Sequence, residues 1–408
     1  MKSSKETHTD IIRSKAITGI IYFSYLAILL ILLDVAIGFF LIKDSNSLMG
    51  YPLPPYTAII TAQQRQVFER LGKSDSTSYI IYDQELGWTV GRNRISNDGM
   101  YVSNAHGIRS NRNYDPHPPE GVIRIAAFGD SFTDCVGVLN ENCWTYYLEQ
   151  SSDSLEVLNF GVRAYGTDQA LLRYRRDGRQ FTPDIVLIGF MIENIRRNVN
   201  RYRPFYEHNT GSLGVKPRFK LDETALVLLP NPIPSEQKLK DLIIEERVFE
   251  TFGPNDYWFE KFSMAFNLNS LLFRSNLIRI SWLIYEKSQR NIRRLYQSVD
   301  GEPFKITASL LKVFYEESLN DGAQQAVVVL FPAKSHLEAY RDQGKKFWQS
   351  ILDFLDQNSI DYIDLTDELA QSQLVTFDDT GHYTTQANQE VKNIVSKWLK
   401  QILTTLTN

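Results

Sequence analysis

The stretch 123–128, IRIAAF, running directly into Gly129-Asp130-Ser131-Phe132-Thr133, decides how this chain is read. Six mostly apolar residues that stop at a glycine fit a strand buried on both faces. A serine three residues past the end of such a strand sits on a tight turn, where its hydroxyl can be offered to a cleft.

Working outward, similar runs recur at 156–160 (EVLNF), 184–190 (DIVLIGF), 326–331 (AVVVLF) and 361–365 (DYIDL). Helical patterns separate them. The segment 167–180 follows the second run with Thr167 as a candidate N-cap. Further helices are expected over 305–319 and 344–356. Val391, Ile394, Val395, Trp398, Leu399 and Ile402 mark one face of a last helix. Strands alternating with helices predict an α/β fold, a doubly wound, mainly parallel five-stranded sheet of the flavodoxin-like kind. The stretch 206–303 breaks the alternation. It reads as an insertion that could cap a site, proline-rich near 230 and helical over 271–297. Residues 61–120 are mixed and turn-rich, with YDQELGWTVGRN (82–93) and 104–114 reading as short strands and loops rather than long helices.

The carboxyl ends of such strands are where reactive groups gather. A serine needs a base to take its proton. Of the six histidines, only His382 stands three residues after an acid and just before a helix, in Asp378-Asp379-Thr380-Gly381-His382. A carboxylate beside an imidazole fixes its tautomer and stabilises its charged form. Asp379 is the first choice for that acid and Asp378 the alternative. A metal bound by Asp378, Asp379 and His382 lacks a supporting second histidine or cysteine cluster. Donors for an oxyanion are available at the Ser131 amide, at Gly161 after the second strand, and at the Asn194 side chain after the third. No G-x-S-x-G, Walker A or G-x-G-x-x-G pattern is present, and neither a cofactor nor a metal is expected.

The blocks GDSFT (129–133), NFGV (159–162), GFMIEN (189–194) and DDTGH (378–382), in this order, resemble the SGNH/GDSL hydrolase superfamily. YDQELGW, NAHGIR and the stretches around the first two blocks resemble anchored GDSL-like proteins associated with bacterial surface polysaccharides. The resemblance implies a triad of Ser131, Asp379 and His382, and an oxyanion hole of Ser131, Gly161 and Asn194. One block departs from the pattern. In one alignment Glu193 takes the asparagine slot and Asn194 the following aspartate slot, which puts a carboxylate where a donor belongs. Asn198 is a distant substitute.

The amino terminus is apolar almost without break from Ala16 to Ile42, longer than the roughly 20 residues needed to cross a bilayer. Lys2, Lys5, Arg13 and Lys15 precede it and Lys43 follows, so the positive-inside bias puts the amino terminus in the cytoplasm. The length and the lack of an A-x-A-like site favour an uncleaved anchor over a signal peptide. Asp34 inside the span points to a polar partner or a wet cavity, or, the preferred reading, to a place near the outer leaflet where it is neutralised or snorkels. The expected organisation is a tail (1–15), a transmembrane helix (16–42), a linker and extension (43–120), the hydrolase domain (121–205 with 304–408) and the insertion (206–303). That makes a single-pass protein with an extracytoplasmic catalytic domain.

Net charge is −4, which gives no basic excess for a nucleic-acid partner. The cluster Arg173, Arg175, Arg176 and Arg179 reads as a solvated helix face. Aromatics at 12% read as core filling. Cys135 and Cys143 read as buried free thiols, or as a pair if the domain faces an oxidising compartment.

Three functions are compatible with these residues. One is hydrolysis of O-acyl esters, acetyl above all, on a glycan or lipid. Another is O-acyl transfer to a cell-envelope polysaccharide or exopolysaccharide. The third is a catalytically inactive glycan-binding or assembly protein on the same scaffold. No protein partner is indicated.

Overall fold

A computed structural model describes residues 2–43, 46–73, 78–223 and 225–406. The central sheet has five strands: β1 (Ile123–Phe128), β2 (Leu155–Asn159), β3 (Ile185–Met191), β4 (Gln325–Phe331) and β5 (Tyr362–Asp364). All pair in parallel, in the order β2-β1-β3-β4-β5. This is the doubly wound architecture expected from the sequence. Each strand lies within a residue or two of the apolar run that predicted it.

The helices used below are, along the chain, α1 (Lys2–Phe40), α2 (Trp144–Glu149), α3 (Thr167–Arg173), α4 (Asn276–Gln289), α5 (Glu302–Asn320), α6 (Gln349–Gln357) and α7 (Thr385–Leu406). Alternate side chains of each strand point to opposite faces. Phe128, Ile188 and Leu330 pack with Leu171 of α3, Phe314 of α5 and Ile351 of α6. Ala127, Leu187 and Val329 pack with Trp144 of α2 and with Val391, Val395 and Leu399 of α7. Two apolar layers therefore sandwich the sheet, which explains why its strands read as continuous apolar runs.

Several local expectations are corrected. Gly166, not Thr167, caps α3, because the Thr167 amide already donates to Asn198 Oδ1 at 2.8 Å. The helix is also shorter than 167–180. A π turn (Tyr174–Gly178) and a 3₁₀ turn (Arg179–Phe181) follow α3, and Thr182 at φ 44° ends the run. Gly344 does not start α6. In the left-handed region at φ 60°, it terminates a preceding helix, Lys334–Gln343. Residues 61–120 include the helix Ala62–Arg70, closed by a capping box between Thr61 and Gln64. Arg173 is buried rather than solvated, donating to Thr89 Oγ1 at 2.8 Å and to the Gly107 carbonyl. Arg175 and Arg179 pair with Glu317, and Arg176 with Asp83.

Asp34 has polar partners instead of snorkelling. Its Oδ1 accepts from Ser275 Oγ at 2.7 Å and from the Leu277 amide at 2.8 Å. Cys135 and Cys143 are joined by a disulfide, with Cα atoms 5.5 Å apart, and are not free thiols.

Candidate active site

In the order β2-β1-β3, chain connectivity reverses direction between β1 and β3, and crevices open beyond the strand ends at such a point. Ser131 follows β1 and Glu193 follows β3. A cleft of about 530 Å³ lies there, lined by Ser131, Met191, Glu193, Arg197, Glu338 and His382 among others. Ser131 and His382, far apart in sequence, thus share one cleft. The Phe132 and His382 rings lie 5.5 Å apart between centroids. Ser131 Oγ has no hydrogen-bond partner among the described residues, so the hydroxyl is available to a ligand.

The turn that carries Ser131 is fixed from several sides. The Asp134 amide donates to the Asp130 carbonyl at 2.8 Å, and the Val136 amide to the Ser131 carbonyl at 3.0 Å. Asn159, ending β2, donates from Nδ2 to the Thr133 carbonyl at 2.7 Å. Arg109 comes from the NAHGIR stretch and donates to the carbonyls of Cys135 (2.8 Å), Val138 (2.6 Å) and Asp134. Beneath the turn, Asp134 is fully buried, with Arg163 Nε at 3.4 Å and Arg109 Nη1 at 4.0 Å. The disulfide ties the end of the turn to the start of α2.

Gly161 faces this turn rather than the cleft. A Cβ on it would stand 2.6 Å from the Thr133 carbonyl carbon and 2.9 Å from Asp134 Cα. Its amide donates to Asn159 Oδ1 at 2.9 Å, so that N–H is already used. The expected oxyanion donor is therefore a packing glycine. Gly161→Ala is expected to cost about 3 kcal/mol by forcing backbone against backbone, read as a lowered urea midpoint with an unchanged m-value.

Asn194 is fully buried and does not line the cleft. Its Oδ1 accepts from Arg197 Nη1 at 3.4 Å, and its Nδ2 has no hydrogen-bond partner among the described residues. Glu193 faces the cleft in its place, as in the alignment that puts it in the asparagine slot. Burial alone would raise the Glu193 carboxyl, but Arg196 and Arg197 outweigh it and hold the group ionised. Asn198 is also used elsewhere. It receives the Thr167 amide and donates to Thr307 Oγ1 at 3.0 Å.

Arg197 has no counterpart in the sequence expectations. Its Nη1 donates to Asp130 Oδ2 (3.1 Å), the Tyr165 carbonyl (3.0 Å) and Asn194 Oδ1. Its Nε and Nη2 hold no hydrogen bond among the described residues, and the side chain lines the cleft. Of the three donors expected, the Gly161 amide is in use, while the Ser131 amide and the buried Asn194 Nδ2 hold no hydrogen bond among the described residues. The Arg197 guanidinium, with Nε and Nη2 unused among the described residues, lines the same cleft as Ser131.

Around His382, the Asp378 amide donates to the His382 carbonyl at 2.9 Å, closing a tight loop. This puts Asp379 at the exposed tip, with no hydrogen bond to His382, and turns Asp378 inward. Asp378 Oδ1 accepts from Thr380 Oγ1 at 2.7 Å, and Thr380 Oγ1 lies 2.7 Å from His382 Nδ1. With the threonine proton directed at Asp378, its oxygen accepts the Nδ1 proton, which leaves Nε2 unprotonated as a base. The carboxylate connected to His382 is thus Asp378, through Thr380, and not Asp379. Burial would raise the Asp378 carboxyl. The Thr380 hydroxyl and the amides of His382 and Thr380 outweigh burial and hold it below its ordinary range.

Burial, aided by Arg197 and Arg163, pushes the His382 pKa below 6.5, against the opposing pull of Asp378. A base is active when neutral, so activity is expected to be full at neutral pH and to fall only as pH drops through this lowered pKa. A pH profile of kcat/KM checks this.

The insertion contributes no lining residue to the cleft among the described residues. Its helices pack on the core through Trp258, Phe262 and Tyr296, and α4 meets α1. Of the other histidines, His336 is buried with Nδ1 accepting the Ala333 amide, and His208 pairs with Glu286 at 2.8 Å.

No family model matches the sequence, and no curated protein matches it. Among solved structures, the chain is similar to a putative lipolytic protein of the G-D-S-L family from Desulfitobacterium hafniense DCB-2, at 12% identity over 67% of this chain and 98% of that one, TM-score 0.33. It is similar to a lipase/acylhydrolase from Enterococcus faecalis at 12% identity, covering 69% and 96%, TM-score 0.34. It is also similar to an acetyl xylan esterase from Geobacillus stearothermophilus at 10% identity, covering 67% and 93%, TM-score 0.34.

Proposed function

We propose that this protein, which has the sheet and the block order of the SGNH/GDSL hydrolases, is a membrane-anchored serine esterase that removes O-acyl groups from a glycan. The observation that carries the reading is the cleft shared by Ser131 and His382, at the crevice between β1 and β3. Ser131 Oγ attacks the ester carbonyl carbon while His382 Nε2 takes its proton. The oxyanion is held by the Ser131 amide and the free N–H groups of Arg197. Collapse breaks the bond to the alcohol oxygen, which leaves with the proton from His382. Water, deprotonated by the same nitrogen, then releases the acid and restores the serine.

Arg197 supplies a full positive charge where the family pattern has an amide donor. It offsets Glu193 at the point where negative charge develops. Loss of one oxyanion donor costs about 10²–10³ in kcat. Arg197→Ala is expected to lose that much in kcat with little change in KM, and Arg197→Lys to recover part of it. Substrates in hand would be an acetylated xylo-oligosaccharide and p-nitrophenyl acetate.

A glycan is favoured over a lipid because several polar side chains stand on the cleft wall among the apolar Phe132, Met191 and Ala333. Glu193, Ser335, Glu338 and Thr380 offer acceptors to sugar hydroxyls, and Lys334 a donor. The anchor rests on α1, whose 11–40 segment is apolar and has no buried residue in its most hydrophobic window. The disulfide supports an oxidising, extracytoplasmic compartment for the domain.

The test is turnover of acetylated oligosaccharides by the full chain in detergent, with free acetate measured. Acetate release that requires Ser131 supports the esterase. Acetyl groups appearing only on an added glycan acceptor would move the assignment to acyl transfer. Neither product from folded protein would leave the binding-protein reading.

A further inference from the structure

The insertion meets α1 at one defined level. Asp34, inside the apolar span, accepts from Ser275 Oγ and from the Leu277 amide at the first turn of α4. Asn276 Nδ2 donates to the Asp34 carbonyl at 3.2 Å. The first amides of a helix lack partners within the helix and favour a negative charge. The carboxylate therefore serves as a cap delivered from another helix, which explains how a charge is tolerated here.

The height of this contact follows from helix geometry. At 1.5 Å per residue, α1 rises roughly 27 Å between Ala16 and Asp34. That is close to the roughly 30 Å thickness of a bilayer's hydrocarbon core. With Arg13 and Lys15 at the inner surface, Asp34 and the start of α4 stand at the outer edge of the core.

The chain that leads into this contact is unusual for a protein surface. Met264, Leu268, Leu271, Leu272 and Ile278 are 46%, 50%, 69%, 49% and 39% exposed. Leu271 and Leu272 lie on the 3₁₀ turn Leu271–Arg274, next to Ser275. A concentration of exposed large apolar side chains marks a site of interaction. Here it adjoins α1, whose large apolar side chains are exposed over most of residues 11–41.

We propose that the 264–278 segment is a membrane-docking element, seated in the outer leaflet beside α1, so that the hydrolase domain rests on the lipid surface instead of swinging on a tether. The partner is a phospholipid bilayer. Continuity with α1 through Asp34 is what selects it over a second protein. The inference rests on the anchor reading of α1.

The test uses the full chain in phosphatidylcholine–phosphatidylglycerol nanodiscs. The two native cysteines are paired, so a single introduced cysteine can be labelled with a nitroxide. Leu271→Cys and Ile28→Cys are compared for collision with oxygen, which concentrates in lipid, and with a polar nickel chelate, which does not. The expected result is a loss of chelate access with retained oxygen access at both positions. If Ile28→Cys shows the lipid signature and Leu271→Cys is open to the chelate, docking is overturned while the anchor stands. If Ile28→Cys itself is open to the chelate, the anchor reading fails and docking fails with it. Low access to both quenchers at Leu271→Cys would mean contact with protein, which also overturns the proposal.

Discussion

Replacing Ser131 by alanine is expected to lower kcat for ester hydrolysis by about 10⁴- to 10⁶-fold, with KM nearly unchanged. Removing the nucleophile of a serine hydrolase eliminates the covalent path and leaves only what binding and oxyanion donors provide. Ser131 Oγ makes no hydrogen bond among the described residues, and the turn that carries it is held by Asn159, Arg109 and the disulfide rather than by the hydroxyl. The alanine variant should therefore fold and melt like the parent. Thermal unfolding alongside stopped assays separates loss of chemistry from loss of structure. Activity retained within 10-fold would place the nucleophile elsewhere.

Asp378→Asn is expected to lower kcat by about 10³–10⁴, whereas Asp379→Asn should stay within about 10-fold. The asymmetry follows from the loop. Asp378 orients Thr380, which holds the His382 Nδ1 proton, while Asp379 is at the exposed tip. Losing the group that fixes the imidazole tautomer costs about 10⁴ in a serine-protease triad. Thr380→Val breaks the same chain at its middle and should fall in the range of Asp378→Asn. The relay also predicts that both variants shift the acid limb of the pH profile, because the groups that set the His382 environment have changed. Equal kcat losses for Asp378→Asn and Asp379→Asn, with Thr380→Val unaffected, would restore Asp379 to the triad and remove the threonine.

The strands were legible because burial on both faces demands uninterrupted apolar runs, and IRIAAF, DIVLIGF and AVVVLF have no competing interpretation at that length. That Ser131 and His382 would meet in one cleft was legible because each is tied to the end or start of a regular element. The oxyanion donors were not. Whether Gly161 offers its amide to a ligand depends on where Asn159 Oδ1 points, and no spacing encodes that. Arg197 went unnoticed because an arginine one turn after Glu193 looks like any helix-surface cation. Its burial depends on Asp130, which lies on a different strand end. Arg173 was misjudged for the same reason, since its partners Thr89 and Gly107 come from the amino-terminal extension. The choice between Asp378 and Asp379 turns on a single backbone hydrogen bond that closes the loop.

Fluorophosphonate labelling of the full-length protein, followed by mass spectrometry of the modified peptide, tests the central claim most directly. The account predicts one phosphonylated residue, Ser131, with labelling that slows sharply in His382→Ala and disappears in Ser131→Ala. Folded protein that stays unlabelled, or that labels equally well without His382, would contradict it.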